Sequence, residues 1–98
     1  MESSTLKEVV FDKCKLKFGT MKIVMQALRR SSSIEVLDLT DVVIHEKEAS
    51  VISEMLGANK SIKHFTMLNC GLDDAAMIQI SQGLSQNSRI TYLDLQSN

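Results

Sequence analysis

Few residues in this chain have side chains able to do chemistry. It carries two cysteines, Cys14 and Cys70, and two histidines, His45 and His64. A structural zinc needs four ligands at matched geometry. His45 reads as a turn residue and His64 as a strand residue turned away from both cysteines, so no such set converges. Asp73 and Asp74 are adjacent carboxylates without a third ligand nearby, and helix capping accounts for them better than a metal does. Lys13, Lys15 and Lys17 alternate outward along a turn; a phosphate or membrane-surface contact is one reading, a solvated surface the plainer one. Arg29 and Arg30 fall where a helix should end, and cations complement its partial negative charge there. Asn59, Lys60 and Ser61 form a glycosylation sequon, read as incidental. No Ser-His-Asp arrangement, nucleotide-binding glycine loop or carboxylate pair at glycosidase spacing is visible. The expectation is no catalysis, no metal and no cofactor.

The elements that hold these residues are far more legible. From Ile62 to Leu84, apolar residues alternate at Ile62, Phe65 and Met67, continue at Cys70 and Leu72, and then adopt helical spacing at Met77, Ile80 and Leu84. This is a strand, a turn and a helix. Sliding by 28 residues finds the same pattern again: Leu6, Ile34, Ile62 and Ile90; Val9, Leu37, Phe65 and Leu93; Phe11, Leu39, Met67 and Leu95. Cys14, Val42, Cys70 and Asn98 share one register, and Leu16, Ile44 and Leu72 another. The helical sets are Met21, Ala49 and Met77; Val24, Ile52 and Ile80; Leu28, Leu56 and Leu84. A register held at this many positions without an insertion defines repeats 6–33, 34–61 and 62–89 and a partial repeat 90–98, together one domain. Cys14 and Cys70, two repeats apart in one register, should lie about 10 Å apart, beyond the roughly 7 Å a disulfide spans, and are expected as free thiols.

The pattern L-x-x-L-x-L-x-x-[N/C]-x-L from Leu6 onward resembles the leucine-rich repeat family, and its 28-residue period with a full helix is similar to the ribonuclease-inhibitor-like class. LNCGLDDAAMIQI in the third repeat matches most closely. Val42 departs from the usual Asn or Cys, and Thr20, Glu48 and Ala76 stand where the family favours a small residue. The resemblance implies an α/β fold: a right-handed solenoid, a horseshoe segment with its parallel sheet on the concave side and helices on the convex side. It also implies a protein-binding scaffold, because such arrays present the concave sheet to a partner. Stacking follows from the units themselves, since one strand and one helix cannot bury their shared apolar face alone. Strands about 4.8 Å apart and helices 8 to 10 Å apart then force curvature.

Composition bounds the partners. The formal net charge is −1 with 11 Lys or Arg against 12 Asp or Glu, which argues against a nucleic-acid footprint. No apolar run approaches the ~20 residues of a membrane span, and MESSTLKEVV lacks the basic start and apolar core of a signal peptide. The chain is therefore read as cytoplasmic, binding neither membrane nor nucleic acid. Residues 1–5 form a polar lead-in.

With the apolar set turned inward, the other strand positions form three rows. They are Glu8, Val36, His64 and Tyr92; Val10, Asp38, Thr66 and Asp94; and Asp12, Thr40, Leu68 and Gln96. Four carboxylates stand there and no Lys or Arg. Mixed with Val10, Val36, Leu68 and Tyr92, they suit a protein partner with a basic surface, Tyr92 serving as anchor. The plainer reading is a set of solvated strand positions. An alternative function is structural: a fragment or end of a longer array that assembles, or self-associates through its C-terminal strand.

Overall fold

The computed structural model describes residues 7–98. The first apolar position, Leu6, and the lead-in 1–5 lie outside the described residues. Seven elements follow in strict alternation: β1 (Glu8–Asp12), α1 (Phe18–Arg30), β2 (Val36–Thr40), α2 (Glu46–Ala58), β3 (His64–Leu68), α3 (Asp74–Ser85) and β4 (Tyr92–Asp94). The strands form one parallel sheet in the order β1-β2-β3-β4. The fold is a small α/β domain of four parallel strands and three helices.

Strand pairing follows the sequence period throughout. Glu8 pairs with Val36, Val36 with His64 and His64 with Tyr92; Val9, Leu37, Phe65 and Leu93 form the neighbouring row. The period-two alternation sends Leu37, Leu39, Phe65 and Met67 into a shared core with Met21, Met25, Ile52, Leu56 and Ile80, so all three helices cover one face of the sheet. Each apolar row is best buried at its centre. Leu37 and Phe65 are fully buried whereas Leu93 is 46% exposed, because β4 is an edge strand of the described sheet.

The same end effect corrects the expected helix faces. On central α2, Ala49, Ile52 and Leu56 are all fully buried, as the spacing requires. On α1, Met21, Met25 and Leu28 are buried and Val24 only partly; on α3, Ala76, Ile80 and Gly83 are buried and Met77 and Leu84 only partly. A helix with one neighbouring helix instead of two buries a narrower stripe.

Two repeating devices tie the units together. After each strand the chain turns through the left-handed region at Lys13, Asp41, Asn69 and Ser97, with φ between 55° and 62°. The backbone N–H of Lys13, Asp41 and Asn69 donates to Thr40, Leu68 and Gln96 carbonyls of the next unit at 2.9, 2.9 and 3.1 Å. After each helix a polar side chain occupies one register. Asn59 is 3% exposed; its Nδ2 donates to the Leu28 carbonyl of the preceding unit at 2.7 Å, and its Oδ1 accepts the Ser61 and Ile62 N–H groups. Asn87 does the same toward Leu56, Arg89 and Ile90, and the Ser31 hydroxyl accepts from Ser33 and Ile34. The sequon is incidental for this reason: the Asn59 amide is a buried structural bridge. α2 and α3 approach closely at Gly83, where a Cβ would lie 2.5 Å from the Ser53 carbonyl oxygen.

Candidate protein-binding face

The sheet face opposite the helices carries the candidate site, and the strand register assembles it from residues 28 apart. Pairing sets Glu8, Val36, His64 and Tyr92 side by side, then Val10, Asp38, Thr66 and Asp94, then Asp12, Thr40 and Leu68. Every position but one is as the alternation requires. Gln96 is the exception: β4 ends at Asp94, and Gln96 lies in the following turn, where its N–H donates to Asp94 Oδ1 at 3.1 Å and its carbonyl accepts from Asn69. It is next to the third row without being part of the sheet.

Exposure separates the residues a partner could reach. Glu8, Val10, Asp12, His64 and Tyr92 are exposed; Val36, Asp38, Thr40, Thr66, Leu68 and Asp94 are half-buried by their strand neighbours. Val10 and Tyr92 are each about half exposed, at 51% and 50%, apolar area held open at the two ends of the sheet. The rings of His64 and Tyr92 meet at 5.3 Å between centroids and 37° between planes, a tilted contact between side chains directly opposite on neighbouring strands. Asp38 is oriented by the Thr40 hydroxyl, which donates to Oδ1 at 2.7 Å. Between Asp38 and Asp94, the Thr66 hydroxyl is buried and has no hydrogen-bond partner. Glu8, Asp12, Asp38 and Asp94 thus place four carboxylates on a face without a Lys or Arg in its rows, a field that attracts cations.

The remaining chemistry-bearing residues are dispersed. Cys14 and Cys70 are both free. The Cys14 thiol donates to the Asp12 carbonyl and that of Cys70, 1% exposed, to the Leu39 carbonyl, each at 3.4 Å; burial pushes the Cys70 thiol pKa up. His45 precedes α2, and its backbone N–H donates to the buried Glu48 carboxylate at 2.9 Å. Glu48 is therefore half of a capping pair. Asp73 caps α3 by accepting the Ala76 N–H at 2.8 Å, and Asp74 lies in the first turn. Among the described residues, no group of three or more His, Cys, Asp and Glu is placed to hold a metal, and no helix is long and apolar enough to cross a membrane.

Comparison with known proteins agrees on the fold and is sparse on relatives. No family model matches the chain. It is 26% identical over 81 residues to the human centrosomal protein of 78 kDa, a match spanning 83% of this chain and 11% of that protein. Among solved structures it is similar to actin-binding site 2 of leiomodin-1, with a TM-score of 0.76 and 21% identity, covering 95% of this chain and 54% of that one. Both counterparts are longer than the stretch they share with this chain.

Proposed function

We propose that the chain is a leucine-rich-repeat solenoid of the ribonuclease-inhibitor-like class and serves as a non-catalytic, cytoplasmic protein-binding scaffold. Its partner presents Lys or Arg beside apolar side chains and docks on the exposed sheet face. One observation carries the reading: four carboxylates, the His64–Tyr92 ring pair and Val10 share a face whose rows hold no positive charge. The carboxylates steer the approach, and the ring pair supplies the anchor that slows release. The 28-residue register of every strand pair supports the repeat assignment. The likeness to an actin-binding site of leiomodin-1 makes actin the first partner to try, and the centrosomal match makes centrosomal proteins the second.

The test is binding kinetics against actin and against proteins captured on the immobilised chain. Replacing Asp38 and Asp94 with Asn should lower the association rate and flatten its salt dependence, whereas Tyr92→Ala should mainly raise the dissociation rate. If both changes leave binding intact while substitutions on the helical face abolish it, the sheet is not the site.

A further inference from the structure

The edge at which the strands begin is basic, and it adjoins the acidic sheet face. Three connections lead from helix to strand, residues 31–35, 59–63 and 86–91. With the last turn of α1 and Lys7 ahead of β1, they collect Arg29, Arg30, Lys60, Lys63 and Arg89, so that six of the chain's eleven Lys and Arg stand on this edge. Glu35 is the one acid among them, and it pairs with Lys7 at 3.5 Å, the single ion pair among the described residues. The other five cations are exposed. Complementing a helix end accounts for Arg29 and Arg30. It does not account for the rest, since α2 closes at Ala58 and α3 at Ser85 with no basic residue in either last turn. Lys60 and Lys63 belong to the middle connection, where the Lys63 N–H donates to the Glu35 carbonyl and its own carbonyl accepts from Thr91, each at 2.8 Å. Both lysines are exposed with a unit on either side, so their exposure does not depend on where the stack stops.

The two charged regions meet at the first row of the face. Lys7, Glu35, Lys63 and Thr91 are joined in one ladder, and Glu8, Val36, His64 and Tyr92 follow one residue on. At about 3.3 Å per residue, Lys63 lies roughly 10 Å along the strands from the level of Asp38, Thr66 and Asp94. The His64–Tyr92 ring pair falls between. We infer that the partner is charge-polarised: it sets Asp or Glu over Lys60 and Lys63, an apolar side chain over the two rings, and Lys or Arg over Asp38 and Asp94. This rests on the reading of the sheet face as the docking site, and adds to it the edge and the order of charges. An extended segment of about six residues spans the distance. A partner turned end for end would set like charges together, so the gradient also fixes its orientation. A bounded protein segment fits this arrangement where a membrane or a nucleic acid does not, because those spread negative charge over an area that would include the four carboxylates beside the edge.

Short peptides with blocked termini are the probes, titrated into the whole chain and followed by NMR up to about 5 mM peptide in about 50 mM salt. The block peptide holds two Glu, two Leu and two Lys in that order. Its isomer has the same residues with one Glu and one Lys at each end, and a third peptide, two Leu and two Lys, is the basic half alone. The block peptide should bind at least about fivefold more tightly than its isomer. Lys60→Gln combined with Lys63→Gln changes exposed side chains that have no ion-pair partner among the described residues, so this variant should melt like the parent. It should weaken the block peptide about three- to tenfold and leave the basic half unchanged, whereas Asp38→Asn with Asp94→Asn should weaken both. Equal affinity for block and isomer, or a block peptide indifferent to the lysines yet weakened by the Asp changes, overturns the polarised partner and leaves the sheet face standing as the site. A basic half indifferent to the Asp changes, or no binding by any peptide, overturns both. Binding to phosphatidylserine vesicles that is lost in the lysine variant overturns the inference in favour of a membrane.

Discussion

Gly83 is the position where two opposing effects can be weighed most sharply. Replacing glycine by alanine inside a helix gains about 1 kcal/mol of intrinsic propensity. At Gly83, however, the added Cβ would lie 2.5 Å from the Ser53 carbonyl oxygen, 2.8 Å from Ser53 Cα and 2.8 Å from Ser53 Oγ. The hydroxyl can rotate away; the carbonyl and Cα belong to the α2 backbone and cannot. An ordinary carbon–oxygen contact is about 3.3 Å or longer, so α2 and α3 must separate by roughly 0.8 Å, and gaps of that size forfeit a quarter to a half of each dispersion contact along the seam. Overpacking of this kind costs about 1 to 3 kcal/mol, and two rigid backbones place it at the upper end. The net expectation for Gly83→Ala is a loss of about 2 kcal/mol, a melting point lower by roughly 8 to 16 °C in a domain of this size. Gly19 is the control, since nothing lies within 4 Å of a Cβ there; Gly19→Ala should gain about 0.5 kcal/mol. Urea denaturation of both variants, read from midpoints at unchanged slope, is the assay. If Gly83→Ala is as stable as its parent, the helix seam is not a close contact between backbones.

Three further outcomes are expected. Lys13→Gly should stabilise the chain by about 0.5 to 1 kcal/mol, because Lys13 holds φ 57° without a side-chain partner to favour it. Asp41→Gly in the same register should gain nothing, since Asp41 accepts from Asn69 Nδ2 at 2.6 Å; equal midpoint shifts for the pair would contradict this. Asn59→Ala should cost about 3 kcal/mol by removing bonds to Leu28, Ser61 and Ile62 inside the core, and a loss under about 1 kcal/mol by the same measurement would deny the bridge its role. Cys70 should react with a thiol reagent roughly tenfold or more slowly than Cys14 at neutral pH. Because its folded pKa is raised by burial, its contribution to stability holds below the unfolded thiol's pKa and is lost as pH climbs through the folded value. A Cys70→Val variant should lack that alkaline loss, and an unchanged alkaline limb would assign it elsewhere.

The period was legible because every strand, turn and helix obeys one 28-residue spacing, and a two-residue alternation then decides which side of the sheet each residue faces. Hence the rows from Glu8 to Asp94 are readable as one face from the sequence. What escaped the sequence shares one cause: it depends on contacts between units rather than within them. Asn59 reads as a helix end or a sequon, and only the neighbouring unit's Leu28 carbonyl makes it a bridge. Lys13 gives no hint of a left-handed turn, since Lys has no preference for one; Asn69 and Asp41, which do, mark the register. Gly83 resembles any helical glycine until Ser53 is seen beside it. Gln96 followed the alternation correctly, but the strand that should have carried it stops two residues short. The buried stripes of α1 and α3 differ from that of α2 because neighbours, not spacing, set how much of a helix is covered.

The amide bridges determine in what order the molecule comes apart. Asn59 reaches back to the first unit while holding the start of the third, and Asn87 reaches back to the second; the ends of α1 and α2 are each finished by the unit that follows. Opening the middle therefore requires a neighbour to let go first, whereas either end can peel away at the cost of one seam. Amide protons should exchange with solvent in a gradient, fastest along β1 and β4 and slowest at Ile62, whose N–H rests on Asn59 at 2.7 Å. The chain behaves like a short zipper held shut at its centre, and folding should start with the docking of β2, α2 and β3 around that one buried amide, the outer units closing last.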